Sequence, residues 1–269
     1  DDAVHANGSV TISGGTFTIT TGDDGVHADD AVAITDGTIS IPKCYEGIEG
    51  QTIGISGGTI DIVSSDDGLN AAGGADQSGF GGSSDCCITI SGGTLRIDAG
   101  GDGIDSNGDL TVSGGEIYVS GPTSDGDSAL DYDGSATVTG GTVVAAGYSG
   151  MAQNFGTDST QGSILLTCRS TSTETIRVTD ASGNVLAEFA PAKAYNCVIV
   201  STPALTQGGT YTITMGGEST DVTLESLIYG SGGMGGQPGG TGGGMGGQPD
   251  GNMGTPPDGT GGKGGRPGQ

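Results

Sequence analysis

Along residues 1–150, apolar and polar positions alternate in paired short runs that meet at a glycine corner. Examples are Val10 and Ile12 then Phe17 and Ile19, Ile53 and Ile55 then Ile60 and Ile62, and Leu110 and Val112 then Ile117 and Val119. A period of two marks a strand with one buried face, and no helical period of useful length separates the runs. Each pair follows a turn built from acidic residues, a single aliphatic and a polar residue. The clearest turns are Asp23-Asp24-Gly25-Val26-His27-Ala28 and Gly101-Asp102-Gly103-Ile104-Asp105-Ser106. Related openings stand at Asp2-Ala3-Val4-His5, Glu46-Gly47-Ile48-Glu49, Asp67-Gly68-Leu69-Asn70 and Ser128-Ala129-Leu130-Asp131. The corners Gly14, Asp36, Gly57, Gly92, Gly114 and Gly140 recur about every 21 to 26 residues, one longer copy aside, and such a period marks a stacked repeat.

Without crossover helices, successive copies pair in parallel only if the chain coils once per copy. The expected fold is therefore all-β: a right-handed parallel β-helix of about six recognisable coils over residues 1–150. Residues 151–229 read as a C-terminal β cap or small β-domain, and residues 230–269 as a disordered Gly/Pro/Met-rich tail. Inside each coil the aliphatic after the acidic turn (Val4, Val26, Ile48, Leu69, Ile104, Leu130) supplies a third inward position. The corner is expected to need φ > 0, which Asp36 tolerates in the one copy without a leading glycine. No Lys follows the Gly-Gly pairs, so they are structural and not phosphate loops. An insertion at residues 73–84 in the fourth copy reads as a surface loop or as part of a binding face.

Composition sharpens this picture. The chain has 269 residues with 59 glycines and no tryptophan, too little apolar mass for an ordinary α/β core but enough for coils that bury a few side chains each. Thirty-two acidic against seven basic residues give a net charge of −25, which excludes nucleic acid and anionic membrane as direct partners and makes divalent cations natural ones. No apolar run is long enough to insert in a membrane. The chain opens on Asp1-Asp2 with its first coil already under way, so a segment is expected to precede it, and secretion with cell-surface attachment through that segment or the tail is the expected location. The five cysteines lack zinc spacing; Cys168 and Cys197, on neighbouring strand-like segments, are the pair placed to bridge.

Stacked coils bring equivalent residues about 4.8 Å apart. One column then reads Asp2, Asp24, Glu46, Asp67, Asp102, and beside it runs His5, His27, Glu49, Asn70, Asp105, Asp131. Neighbouring carboxylates at that spacing repel by about 1 kcal/mol in water and about 3–4 kcal/mol at an effective dielectric of 20. Lys43 and Arg96 are the only basic side chains before residue 169. Hard oxygen donors converging from adjacent coils are what Ca²⁺ accepts, so Asp24, Glu46, Glu49, Asp66, Asp67, Asp102, Asp105, Asp127 and Asp131 are the expected ligands. A solvated acidic ridge screened by salt is the plainer alternative. His5 and His27 alone would suggest zinc, but their carboxylate and amide neighbours favour a polar lining.

The Asp-Asp-Gly-Val-His-Ala turn, the Ser-Gly-Gly-Thr corners, the segment Gln161-Gly162-Ser163-Ile164-Leu165 and the Gly/Met/Pro-rich tail resemble the secreted bacterial carbohydrate-binding β-helix family. Over residues 1 to about 229, the resemblance implies a polysaccharide-lyase-like fold, bound calcium, and cellulose or polygalacturonate as ligand. A pectate-lyase-type enzyme is the rival, but it needs a positioned Arg or Lys base, and Lys43 and Arg96 come from different coils. A calcium-stiffened adhesin or surface-layer rod is a further alternative. Gly100 to Asp105 resembles the nonapeptide calcium repeats of secreted toxins, whose period is less than half that seen here. Non-catalytic binding is expected. The outward ladder Thr18, Ser40, Asp61, Arg96, Tyr118, Val144 offers the sugar contacts, with Asp61, Arg96 and Tyr118 as candidates. Tyr132, near an acidic turn like Tyr45 and Tyr148, is the fourth candidate, able to stack on a pyranose.

Overall fold

Parallel pairing stacks each repeat on the next in the register that the sequence period sets. Val4, Val26, Ile48, Leu69, Ile104 and Leu130 are successive register partners. So are Val32, Ile53, Ile88, Leu110 and Ala136, and likewise Ile39, Ile60, Leu95, Ile117 and Val143. These columns face inward and, Val4 apart, are buried in one continuous core. Each fully buried branched aliphatic contributes about 1.5–3 kcal/mol, and that gain recurs in every coil.

The protein, described here by a computed structural model, is an all-β solenoid of about six turns with no helix among the described residues. Those residues are 1–72 and 85–230. The insertion at 73–84 and the Gly-rich segment from 231 onward lie outside them. The described residues all fall within one unit, Asp1–Pro238, and the second unit, Gly239–Gln269, lies wholly outside them. A turn of the solenoid consists of a three-residue strand such as Leu69–Ala71 or Ile104–Ser106, then a longer strand that bends at the corner, such as Cys87–Asp98 or Asp109–Ser120.

The corner differs in detail from the expectation. From the second corner on, positive φ falls on the second residue of each pair, Gly37, Gly58, Gly93, Gly115 and Gly141, so Asp36 never has to adopt it; at the first corner both Gly14 and Gly15 have it. Asp36 instead accepts a 2.8 Å hydrogen bond from the Gly37 N–H through Oδ1. The first glycine answers a different demand, close stacking. A Cβ on Gly92 would lie 2.4 Å from the Ser56 carbonyl oxygen of the coil below, and one on Gly114 would lie 2.3 Å from that of Ser91.

After the sixth coil the chain direction changes. Ala136–Gly147 pairs antiparallel with Tyr195–Ser201, which pairs antiparallel with Ser163–Ser172. The intervening loop lays Ala152 and Phe155 into the coil core. Asn154 ties that loop down, donating through Nδ2 to the Tyr229 and Gly230 carbonyls at 2.9 Å each. A separate four-stranded sheet, in the order Val185–Phe189, Ile176–Asp180, Thr210–Met215, Glu218–Thr223, shares a second core with the outward side chains Val144, Ala146, Ile164, Val198 and Val200. The main sheet is thus apolar on both faces at this end.

The pairing considered for Cys168 and Cys197 does not form. Thr167 is the register partner of Cys197, so strand alternation turns Cys168 to the opposite face. Cys197 lies in the coil core and Cys168 against the second core, each a free thiol.

Candidate functional site

The two predicted polar columns exist in register. His5, His27, Glu49, Asn70, Asp105 and Asp131 are successive partners on the short strands. One position before the small residue of the turn, Ala3 in the first coil and glycine in the next four, the acids form a ladder in which a carboxylate accepts the backbone N–H of its counterpart on the next coil. Asp2 Oδ1 accepts from Asp24 N at 3.4 Å, Asp24 Oδ1 from Glu46 N at 3.3 Å, and Asp67 Oδ1 from Asp102 N at 2.7 Å. Asp102 accepts from Ser128 N, which ends the acidic run, since Ser128 takes the equivalent place in the sixth coil. Asp127 therefore stands one residue outside the ladder, where it accepts a hydrogen bond from Ser124. Asp66 stands likewise beside it, bonded through its backbone to Tyr45 and Gly101.

The first coils place imidazoles among these acids. Asp2 Oδ2 lies 2.7 Å from His5 Nδ1 and 3.2 Å from His27 Nδ1. His27 is buried, and the same nitrogen has Glu49 Oε2 at 3.6 Å and Asp24 Oδ2 at 3.7 Å. Burial alone would raise Asp2, but the His5 and Asp24 N–H hydrogen bonds and the His27 charge outweigh it and leave the carboxyl below its usual range. Asp24 is pushed upward, by burial first and by the charges of Asp2 and Asp23, although a hydrogen bond with the Glu49 side chain opposes this.

The later coils have no imidazole. Ligand oxygens of Asp67, Asp102 and Asp105 lie within 4.8 Å of one another. Burial, then the charges of Asp102 and Asp105, pushes Asp67 up to about 9. Burial and the charges of Asp105, Asp131 and Asp127 take Asp102 to about 8 against the Ser128 N–H bond. Asp105, buried beside Asp131 and Asp133, reaches about 7. Glu46 also reaches about 7, chiefly through burial, although it accepts a 2.9 Å bond from Asn70 Nδ2. Burial raises Asp131 as well, although it accepts hydrogen bonds from Tyr132 N and Gln153 Nε2. The carbonyl oxygen of Asn70 is buried in this set without a hydrogen-bond partner. An orphaned buried acceptor among carboxyls that resist ionisation can be met by protons on those carboxyls or by a cation. The donor set here is all oxygen and fits a hard divalent cation.

The outward ladder is also in register: Thr18, Ser40, Asp61, Arg96, Tyr118 and Val144. It runs into a groove of about 390 Å³ whose walls include Asp61, Arg96, Asp98, Tyr118 and, from the four-stranded sheet, Phe189. The Arg96 guanidinium lies 4.8 Å over the Tyr118 ring, and Tyr118 meets Phe189 at 5.4 Å. Arg96 is exposed and makes no ion pair among the described residues, whereas Lys193 holds Asp98 at 2.8 Å across the groove edge. Three of the four candidate sugar contacts, Asp61, Arg96 and Tyr118, therefore meet in one place. Tyr132 lies elsewhere, packed against the coil core with its hydroxyl donating to the Asn154 carbonyl at 2.5 Å. Sequence reasoning missed Phe189, Asp98 and Lys193. Phe189 reaches the groove, and Lys193 reaches Asp98, from the far end of the chain, and no local pattern marks them.

A solenoid with a repetitive outward ladder and an aromatic groove belongs to the class of proteins that present a binding surface. The family comparison agrees: a model described as "Carbohydrate-binding domain-containing protein" matches residues 1–81 and again 24–223. The chain belongs to that family, and carbohydrate is its partner. Overlapping matches are natural for a repeat, since one coil aligns as well as its neighbour. No curated protein and no solved structure matches the chain.

Proposed function

We propose that the protein is a non-catalytic, secreted polysaccharide binder that takes an extended plant-type chain, cellulose or polygalacturonate, along the outward ladder, with Ca²⁺ in the acidic column. The groove carries this reading. Tyr118 and Phe189 offer aromatic surface, Arg96 a guanidinium without an ion pair among the described residues and Asp61 a carboxylate, the mixture of apolar area and few directed polar groups that suits a sugar ring. Asp67, Asp102 and Asp105 with the Asn70 carbonyl would hold the cation, flanked by Glu46, Asp66 and Asp131. Calcium there supplies positive charge that replaces protons and locks neighbouring coils together.

Pull-down of folded, calcium-loaded protein on cellulose, polygalacturonate and starch tests the reading. Capture by one of the first two and not by starch is expected. Arg96→Ala or Tyr118→Ala should weaken it about tenfold, the loss of about 1.4 kcal/mol. Cellulose binding should persist in chelator wherever the fold persists, while a uronate chain, needing metal to bridge like charges, should be released first. If folded protein ignores all three polymers, the sugar site falls and a calcium-stiffened surface rod replaces it.

A further inference from the structure

The first two coils hold a ligand set of different chemistry from the rest of the column. His5 and His27 are register partners on adjacent coils. Both turn Nδ1 toward a single oxygen, Asp2 Oδ2, at 2.7 and 3.2 Å, and the ligand atoms of the three residues lie within 4.8 Å of one another. An ion held at about 2.1 Å by nitrogen and oxygen ligands in a tetrahedron keeps those ligands about 3.4 Å apart, a spacing within reach of this cluster by small side-chain rotations. Packing fixes His27, which is 6% exposed. Its other nitrogen has Asp29 Oδ1 at 3.9 Å, on the side where a metal-bound histidine usually finds its orienting carboxylate. The His5 side chain is 41% exposed, which leaves the fourth corner open to solvent.

We propose that Asp2, His5 and His27 form a site for a divalent transition metal of the zinc type, separate from the all-oxygen set around Asp67, Asp102 and Asp105. Imidazole nitrogen favours zinc, cobalt, nickel and copper, whereas calcium takes oxygen ligands. Asp24 and Glu49, at 3.7 and 3.6 Å from His27 Nδ1, add negative charge around the ion. One protein then carries two metal chemistries in a single column, chosen coil by coil by the residue that follows the aliphatic.

Cobalt serves as the spectroscopic stand-in for zinc. The full chain is stripped with chelator, kept in excess calcium to fill the oxygen sites, and titrated with Co²⁺ while visible absorption and circular dichroism are recorded. One equivalent is expected to give the strong visible bands of four-coordinate cobalt, and zinc to bleach them. His5→Gln, at an exposed position, should weaken binding by at least about 10–100-fold with the dichroism unchanged. His27→Gln should abolish it, and if that variant fails to fold, His5→Gln decides. Absence of the bands, binding that His5→Gln leaves unaltered, or displacement by calcium in step with its concentration would overturn the proposal and leave both histidines as a hydrogen-bonded lining.

Discussion

The two ends of one column meet the same electrostatic problem with different side chains. In the first two coils His5 and His27 stand among the acids, and the Asp2 carboxyl falls below its usual range. In the fourth and fifth coils Asn70 and Asp105 take those places, and Asp67 and Asp102 are pushed up to about 9 and about 8. The backbone is the same at both ends, with the same register and the same N–H to carboxylate ladder. Burial is the first cause of the upward shifts, and the residue after the aliphatic then tilts the balance: His5 bonds Asp2, whereas Asp105 adds its charge against Asp67 and Asp102, and buried Asp24 rises even beside His27. A solenoid permits this because each coil touches only its neighbours, so one can be retuned without disturbing the fold elsewhere.

Calcium should separate the two ends most strongly. A single site at about 100 times its Kd stabilises the folded chain by about 2.7 kcal/mol, and each kcal/mol raises Tm by about 2–4 °C at this size. In Asp67→Asn/Asp102→Asn the amide oxygens still accept the next coil's N–H while the repulsion is gone. Calorimetry should show this variant melting above the chelated parent and no longer responding to calcium. A parent whose melting ignores both chelator and calcium would defeat the calcium half of the proposal.

The next effect concerns pH in chelator. Asp67, Asp102, Asp105 and Glu46 ionise near their ordinary values of 3.8 and 4.5 when unfolded, but only at about 7 to 9 when folded. Between those limits the folded state binds more protons, so the stability these groups confer is complete below about pH 4 and is lost as pH rises toward 9. Melting in chelator should fall between pH 5 and pH 9, and saturating calcium should flatten the decline. A Tm that rises over that range would contradict the assignment.

The smallest effect has the opposite sign. Because the folded-state pKa of Asp2 is lowered, its contribution is present above its unfolded value of 3.8 and lost as pH falls through the folded value. Asp2→Asn should cost about 1 kcal/mol at neutral pH, a loss that fades on acidification. Denaturant melts at pH 7 and pH 3 measure the difference; a destabilisation that persisted undiminished at pH 3 would mean that Asp2 acts through packing and not through charge.

Both columns and the outward ladder were legible in the sequence, because one repeat makes one coil and strand alternation is local. His27 beside Glu49, and Arg96 beside Tyr118, follow from counting along the chain. Features that depend on how close the coils lie were not legible. The corner shows this, since a Gly-Gly pair does not say which glycine carries the positive φ and which one clears the carbonyl below. The facing of Cys168 and Cys197 was hidden too, because a shift of one residue in register reverses it. Phe189 reaches Tyr118 only through a second sheet whose docking no short pattern records.

A stack of like coils has no intrinsic last member. Each parallel strand leaves an edge of N–H and C=O groups that fits another strand of the same kind, whether from its own chain or from a stranger. At Ala136–Gly147 that edge is taken by Tyr195–Ser201 running the other way. Antiparallel hydrogen bonds alternate in spacing where parallel ones are even, so an incoming coil no longer finds the pattern it would copy. In polymer terms the reversal is a chain terminator, and the strand after it, Ser163–Ser172, is met in turn, among the described residues, by just the two residues Ile228–Tyr229.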